Sequence, residues 1–422
     1  MIKKFLKKLI PKSVRQSLRE MLSVFFPEDY FSFPTMPYKY TSEDAQRVYN
    51  VVLSGHLHHS CLKEVVSLEK EFAAFHKVKY ALATNSGTSA LESAVKAIGI
   101  KPGDEVIVPA YTFVATAQAV ISRGGVPVFA DIDDTYTISP KSVEEKISKR
   151  TKAILPVHLF GNVADMDSIM KIARKHNLFV IEDACQSLGA SFKGRRVGAI
   201  GDIGCFSFNE KKAIATGQGG MVITSNKKFH DIMDMTRNTG QIDEELGSDV
   251  VTTGNTFSLT EMQAALARST LTQLDELNNM RRRNYEIFLQ SIDPQMRHVT
   301  WYRVLPDADA SYARLVFMIN FRALGISRDV FIQNCIKKGI PMKTLYPIPL
   351  YKYSLFRKRR DDMTGNTFPF DQNPHVDYRL QKLPFVEEFC KQQVAIEFSP
   401  YLRKNNIEYM VEVMKEELRA AV

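Results

Sequence analysis

Three observations predict an α/β protein built on a mostly parallel central sheet covered on both faces by helices, with a smaller C-terminal α+β domain. From about residue 65 onward, short apolar runs alternate with segments of helical periodicity. The runs are continuously apolar, as in Val106-Ile107-Val108 after Glu105, which is what strands buried on both faces require. The residues able to carry chemistry cluster just beyond the ends of these runs, where open α/β sheets bind ligands.

Taken in order, Leu68 to His76 reads as a helix, Tyr80 to Ala83 as a strand and Ser89 to Ile98 as a helix opened by Asn85-Ser86-Gly87-Thr88. Glu105 to Val108 is a strand stopped by Pro109, Thr116 to Ser122 a helix, and Val126 to Ala130 a strand ending at Asp131. Lys152 to Val157 is a strand, Met166 to His176 a helix, and Phe179 to Ile181 a strand running into Glu182 and Asp183. A further apolar strand delivers Ser207 to its end, ahead of Lys211, Lys212 and the turn Thr216-Gly217-Gln218-Gly219-Gly220. A charged helix from Asp275 to Phe288 connects to a region of different texture. There Ala313 to Phe321, Pro341 to Tyr346 and Val394 to Phe398 read as strands, and Arg328 to Lys338 and Glu408 to Leu418 as helices. Lys352 to Arg379 reads as a long loop. The expected division is a basic amphipathic extension over 1–30, a large domain over 31–290 and a small domain over 291–422.

Composition narrows the class. Of the 422 residues, 45% are hydrophobic and 24% charged, ordinary values for a globular protein. The net charge of +9 is concentrated: residues 1–20 carry seven cations against Glu20 alone, leaving a surplus of only three elsewhere. The main body is therefore not expected to bind nucleic acid. Apolar residues recur at helical spacing among those cations, so residues 1–26 form either a solvated terminal helix or a peripheral contact with an anionic membrane surface. Lys7 and Lys8 break the apolar core that a secretory signal needs. Cys61, Cys185, Cys205, Cys335 and Cys390 form no CxxC pair, which argues for reduced thiols and against a metal site. With no apolar run long enough to span a bilayer, a cytoplasmic protein is expected, with a peripheral position at the membrane's inner face as the alternative.

The strand-end residues match what pyridoxal 5′-phosphate (PLP) demands of a protein. The cofactor needs an amine to condense with its aldehyde and later to move protons. It needs a carboxylate to keep its pyridine nitrogen protonated, and a cradle of backbone N–H groups and hydroxyls for its phosphate. Lys212 supplies the amine, with Lys211 as its rival. Asp183 supplies the carboxylate, with Glu182 competing. Gly87, Thr88 and Ser207 supply the cradle, and Phe113 lies where it can stack on the ring.

Over roughly residues 53 to 420 the chain resembles the DegT/StrS family of PLP-dependent sugar aminotransferases. The matching motifs occur in the family's order: Asn85-Ser86-Gly87-Thr88-Ser89-Ala90-Leu91, Pro102-Gly103-Asp104-Glu105-Val106-Ile107-Val108-Pro109, and Thr112-Phe113-Val114-Ala115-Thr116. They continue with Pro156-Val157-His158-Leu159-Phe160-Gly161, Ile181-Glu182-Asp183-Ala184-Cys185-Gln186 and Phe206-Ser207-Phe208. The resemblance implies the aspartate aminotransferase-like (fold type I) architecture. It selects Lys212 over Lys211 and assigns Asp183 to the pyridine nitrogen and Gln186 to the cofactor's ring hydroxyl. It also implies a homodimer with shared active sites and a reaction moving an amino group from an amino acid, L-glutamate by analogy, to a nucleotide-linked 3- or 4-keto sugar. A carbocyclic ketone as acceptor, or a binding protein without turnover, are the alternatives. The chain departs from the pattern at Gln218, where the family has Glu, and before Thr260-Glu261. There the family's Asn, which reaches the neighbouring subunit's phosphate site, falls on Thr256, with Asn255 one residue earlier. Arg237, Arg357 and Arg360 are candidate contacts for the diphosphate of a sugar nucleotide.

Overall fold

The computed structural model describes residues 34–57, 63–241, 249–292 and 296–419. The basic segment 1–26, and any membrane contact through it, lies outside the described residues. Among the described residues no helix is long and apolar enough to cross a membrane.

The strands are β1 (Tyr80–Thr84), β2 (Glu105–Pro109), β3 (Val126–Ala130), β4 (Thr151–Ile154), β5 (Phe179–Asp183), β6 (Ser191–Phe192), β7 (Arg195–Arg196), β8 (Ile203–Ser207) and β9 (Gly220–Thr224). They continue with β10 (Val299–Trp301), β11 (Ala308–Asp309), β12 (Arg314–Ile319), β13 (Met342–Lys343) and β14 (Gln393–Glu397). The helices of eight or more residues are α1 (Ser42–Ser54), α2 (Glu64–His76), α3 (Gly87–Ala97), α4 (Ala115–Ser122), α5 (Met166–His176), α6 (Lys227–Arg237) and α7 (Glu261–Ser291). They end with α8 (Arg328–Lys337), α9 (Pro384–Gln392) and α10 (Lys404–Arg419).

A seven-stranded sheet in the order β1-β9-β8-β5-β4-β2-β3 forms the centre. Neighbours from β8 through β3 pair in parallel, and β9 runs against both β1 and β8. Side chains alternate between two apolar clusters. Leu82, Val106, Val108 and Ile181 face one, while Ala81, Ala83, Ile107 and Val180 face the other. This alternation explains why the central positions of these strands are apolar on both faces. A second, antiparallel sheet, β10-β12-β14-β13, packs with α7, α8 and α10 around a core of its own.

Expected and observed elements differ mainly in their ends. The connector helix runs from Glu261, well before Asp275, because Thr260 and Gln263 form a reciprocal capping box that starts it early. The strand expected over Pro341 to Tyr346 pairs only at Met342 and Lys343. The 352–379 loop carries a short helix, Ser354–Lys358, and two 3₁₀ turns.

The loop after β5 is built around a carboxylate. Glu182 is fully buried and accepts hydrogen bonds from the backbone N–H groups of Gly198 (2.7 Å), Ile200 (2.6 Å) and Gly201 (2.6 Å). The Ala164 N–H donates to His158 Nδ1, which places the ring proton on Nε2, and that in turn donates to Glu182 at 2.9 Å. The wrapped loop presses on β8: a Cβ at Gly204 would lie 2.1 Å from the Gly198 carbonyl oxygen. Replacing Glu182 by alanine strands several buried donors. The expected loss is at least about 3 kcal/mol, visible as a lower denaturant midpoint; an unchanged midpoint would refute this account of the loop.

Candidate active site

Adjacent residues on a strand point to opposite faces, and this parity separates the two carboxylates at the end of β5. Glu182 is spent on the loop behind the sheet. Asp183, also buried, turns the other way, and its Oδ2 accepts a 2.8 Å hydrogen bond from Thr116 Oγ1 on α4. Its Oδ1 accepts from the Cys185 N–H at 3.1 Å. Thr112 Oγ1 lies 3.2 Å from Thr116 Oγ1 and extends the chain of hydroxyls. Asp183 is therefore oriented from two sides, and the choice between it and Glu182 is physical.

The anion cradle forms where β1 hands over to α3. Ser86 caps the helix, its Oγ accepting from the Ser89 N–H at 3.0 Å. Gly87 packs against the end of β8: a Cβ there would lie 2.8 Å from Ser207 Cβ and 3.0 Å from Cys185 Sγ. A Cβ at Gly220, opposite Ser207 in the β8–β9 register, would lie 2.5 Å from the Ser86 carbonyl oxygen. Only glycine lets these three chains meet so closely. The first-turn amides of α3, including those of Gly87 and Thr88, have no partners within the helix and sit beside the half-buried Ser207.

Beyond Ser207 the chain turns back on itself. The Phe208 N–H donates to the Gly219 carbonyl at 2.8 Å and the Lys212 N–H to the Asn209 carbonyl at 2.8 Å. Lys211 is exposed and Lys212 half-buried. Both border a small pocket that Cys185, Gln186 and Arg314 also line. Burial lowers the Lys212 amine below the ordinary lysine value; Arg314 adds to this, while Cys185, Asp183 and Glu397 oppose it. Gln186 is buried, with its Nε2 3.5 Å from the Tyr346 hydroxyl and its Oε1 unpartnered. Phe113 is 54% exposed, and its ring centroid lies 6.4 Å from that of Tyr346.

Asn255 and Thr256 are both exposed on a strip beside the cradle, where the Thr256 carbonyl accepts from Asn85 Nδ2 at 3.1 Å. Of the arginines considered for a diphosphate, Arg237 is buried and ion-paired with Glu69 and Asp234, a supporting role. Arg357 and Arg360 lie in a loop that packs on the amino ends of the parallel strands, away from the pocket.

Three contributors escaped the sequence reading. Thr116 has a signal in its i, i+4 spacing from Thr112. Arg314, at the start of β12, pairs with Glu397 (3.1 Å), which also takes Lys343. Tyr346 follows β13 with φ 43°, in the left-handed region. The last two arrive from the second sheet and had no local signal.

The donor set suits PLP. A glycine-floored helix start with an adjacent hydroxyl can take the phosphate, and a buried, doubly oriented carboxylate can face the pyridine nitrogen. The orphaned Gln186 Oε1 points to a missing polar partner at this spot.

Comparison with known proteins bears on these residues. The profile of the DegT/DnrJ/EryC1/StrS aminotransferase family matches residues 39–415. UDP-N-acetyl-3-dehydro-alpha-D-glucosamine 3-aminotransferase of Acidithiobacillus ferrooxidans is 38% identical over 336 residues, 78% of this chain and 85% of that protein. GDP-perosamine synthase of Caulobacter vibrioides is 40% identical over 282 residues, 63% of this chain and 76% of that protein. NtdA of Bacillus subtilis, solved with bound cofactor PMP, superposes with a TM-score of 0.79 at 25% identity, over 92% of this chain and 86% of its own.

Burial disfavours the charged form of Lys212, so its amine is neutral at lower pH than a free lysine's. In the cofactor-free protein, acylation of Lys212 followed by mass spectrometry is expected to reach half its maximum below pH about 10.4. A midpoint at or above that value would contradict the burial argument.

Proposed function

Because the chain belongs to the DegT/DnrJ/EryC1/StrS aminotransferase family and is a PLP-dependent aminotransferase, we propose that it moves the amino group of L-glutamate to a nucleotide-linked keto sugar, with Lys212 and Asp183 as catalytic residues. The observation that carries this reading is the convergence of Asp183, Lys212 and the Gly87–Ser207 cradle at one end of the sheet. The sugar-nucleotide class is supported by the relatives acting on UDP- and GDP-linked sugars.

When bound, PLP supplies an aldehyde that condenses with amines and a protonated ring that takes up the electron pair left by a departing α-proton. The chain supplies everything else. The α3 amides, Thr88 and Ser207 anchor the phosphate. Asp183, held by Thr116 and the Cys185 N–H, presents negative charge to the pyridine nitrogen and keeps its proton in place. Phe113 would stack on the ring, and Gln186 would bind the ring hydroxyl. Lys212 Nζ is first the tethering amine. Freed of that tether, the same nitrogen would accept the donor's α-proton and hold it for return, work for which a lowered pKa suits it. The second half of the cycle repeats these transfers in reverse on the sugar ketone. In this reading two copies associate, and the exposed strip bearing Asn255 and Thr256 reaches the phosphate cradle of the other subunit.

The test is a visible spectrum of the protein with PLP, before and after L-glutamate, beside Lys212→Ala. A band that glutamate abolishes in the wild type but not in the variant is expected, with turnover on UDP-, GDP- or dTDP-linked keto sugars reduced roughly a thousandfold or more in K212A. Absence of any cofactor band in the wild type would overturn the reading.

A further inference from the structure

The loop expected over Lys352 to Arg379 does not approach the catalytic pocket along its whole length. It starts near the carboxyl end of β2, where the Leu350 N–H donates to the Ala110 carbonyl at 2.8 Å. It then runs outside the edge strand β3, packing Phe356 on Phe129 with centroids 5.0 Å apart. It reaches the amino ends of the parallel strands, where Asn373 Nδ2 donates to Glu105 Oε1 at 2.8 Å and Arg150 to the Gln372 carbonyl at 3.0 Å. Tyr378 fixes the return by donating to the Pro127 carbonyl at 2.7 Å. Five-residue strands put the far end of this loop roughly 15 Å from the level of Asp183 and Ser207.

At that far end the loop encloses a depression of about 800 Å³. Arg357, Lys358, Arg359, Arg360 and Arg379 line it, against Asp371 as the one acidic residue in its wall. The five cations are not equivalent. Arg359 braces the floor: its guanidinium donates to the carbonyls of Phe370, Asn373 (2.8 Å) and Pro374 (3.3 Å), and its buried Nε has no partner. Lys358 and Arg360 share Asp362, and Arg379 pairs with Asp377 at 2.7 Å. Those pairs orient the cations, but the side chains of Arg360 and Arg379 remain 54% and 68% exposed. Such exposed pairs exchange readily for a stronger anion. Arg357 forms no side-chain hydrogen bond or ion pair among the described residues.

We propose that this depression, at the end of the sheet opposite the catalytic pocket, is a second anion site that takes a phosphate-bearing ligand through Arg357, Arg360 and Arg379. Guanidinium forks match the geometry of phosphate oxygens, and several converging on one concave surface favour a ligand with more than one negative oxygen. The phosphate can belong to a free phosphorylated molecule or to lipid headgroups on a membrane surface. Met363 (94% exposed) and Leu380 (79% exposed) stand beside the lining residues in sequence as apolar contacts for the second source. The site is independent of the transamination chemistry.

The experiment uses the full-length protein saturated with PLP, so that the catalytic phosphate cradle is filled. Inorganic pyrophosphate is titrated calorimetrically at low and moderate salt. In parallel, co-sedimentation is measured with phosphatidylcholine vesicles with and without phosphatidylglycerol. Arg357→Gln/Arg379→Gln, and separately Arg360→Gln, should weaken the productive arm about tenfold or more, with the thermal transition and transaminase turnover unchanged. Pyrophosphate binding lost in the variants identifies a free phosphate ligand. Vesicle binding that requires phosphatidylglycerol and is lost in the variants identifies lipid headgroups. No binding in either arm, or binding that the variants leave intact, overturns the proposal.

Discussion

The architecture of the site depends on how two neighbouring carboxylates on one buried strand are kept apart. Glu182 and Asp183 are adjacent on β5, and two anions on the same face would disfavour each other's charge. Strand parity sends them to opposite sides of the sheet. Glu182 is neutralised by a ring of backbone donors and the His158 imidazole, which fixes the 198–201 loop and the packing of β8 behind it. With that support in place, Ser207 at the end of β8 meets Gly87 at the start of α3 at a distance only glycine tolerates. The structural carboxylate thus supports the strand whose tip meets the start of α3, while its neighbour faces the opposite side of the sheet, held by Thr116 and the Cys185 N–H.

Much of this was legible in the sequence, for local reasons. Unbroken apolar strands report burial on both faces, and a glycine followed by hydroxyls at a helix start reports an anion cradle wherever the helix sits. Other features depend on tertiary contacts. Residue types alone name Asp183 but leave Glu182 as a competitor, since what separates them physically is a loop sixteen to nineteen residues away in sequence. Arg314 and Tyr346 come from beyond α7 and gain meaning only when the second sheet docks beside Lys212. The charge pattern marks only the later turns of the connector helix, whereas its start is set by the capping box at Thr260 and Gln263.

Those contributions from the second sheet bear on the electrostatics of Lys212. Arg314 and Lys343 share the single carboxylate of Glu397, so the cluster carries one more positive charge than it neutralises. Arg314 borders the same pocket as Lys212, and this positive charge works with burial to disfavour the ammonium. In the proposed role of Lys212, an amine that is a neutral nucleophile and then a proton carrier needs both protonation states within reach. Asp183 pulls in the opposite direction but is itself engaged by Thr116 and the Cys185 N–H. The amine is therefore set first by burial, and Arg314 from the second sheet adds to that effect while Cys185 and Asp183 from the central sheet oppose it.

The same sheet offers two unlike ends. At the carboxyl ends of its parallel strands, helix starts and loops gather backbone donors and buried polar groups, a setting for a small cofactor held away from water. At the amino ends, side chains supply positive charge. The 352–379 loop does so, with Arg359 spending its guanidinium on three carbonyls of the loop itself while its neighbours stay at the surface. An arginine used as an internal brace fixes the loop's shape more firmly than solubility alone would require. With the loop's backbone braced, a ligand need order only the exposed side chains, which lowers the entropic penalty of binding there.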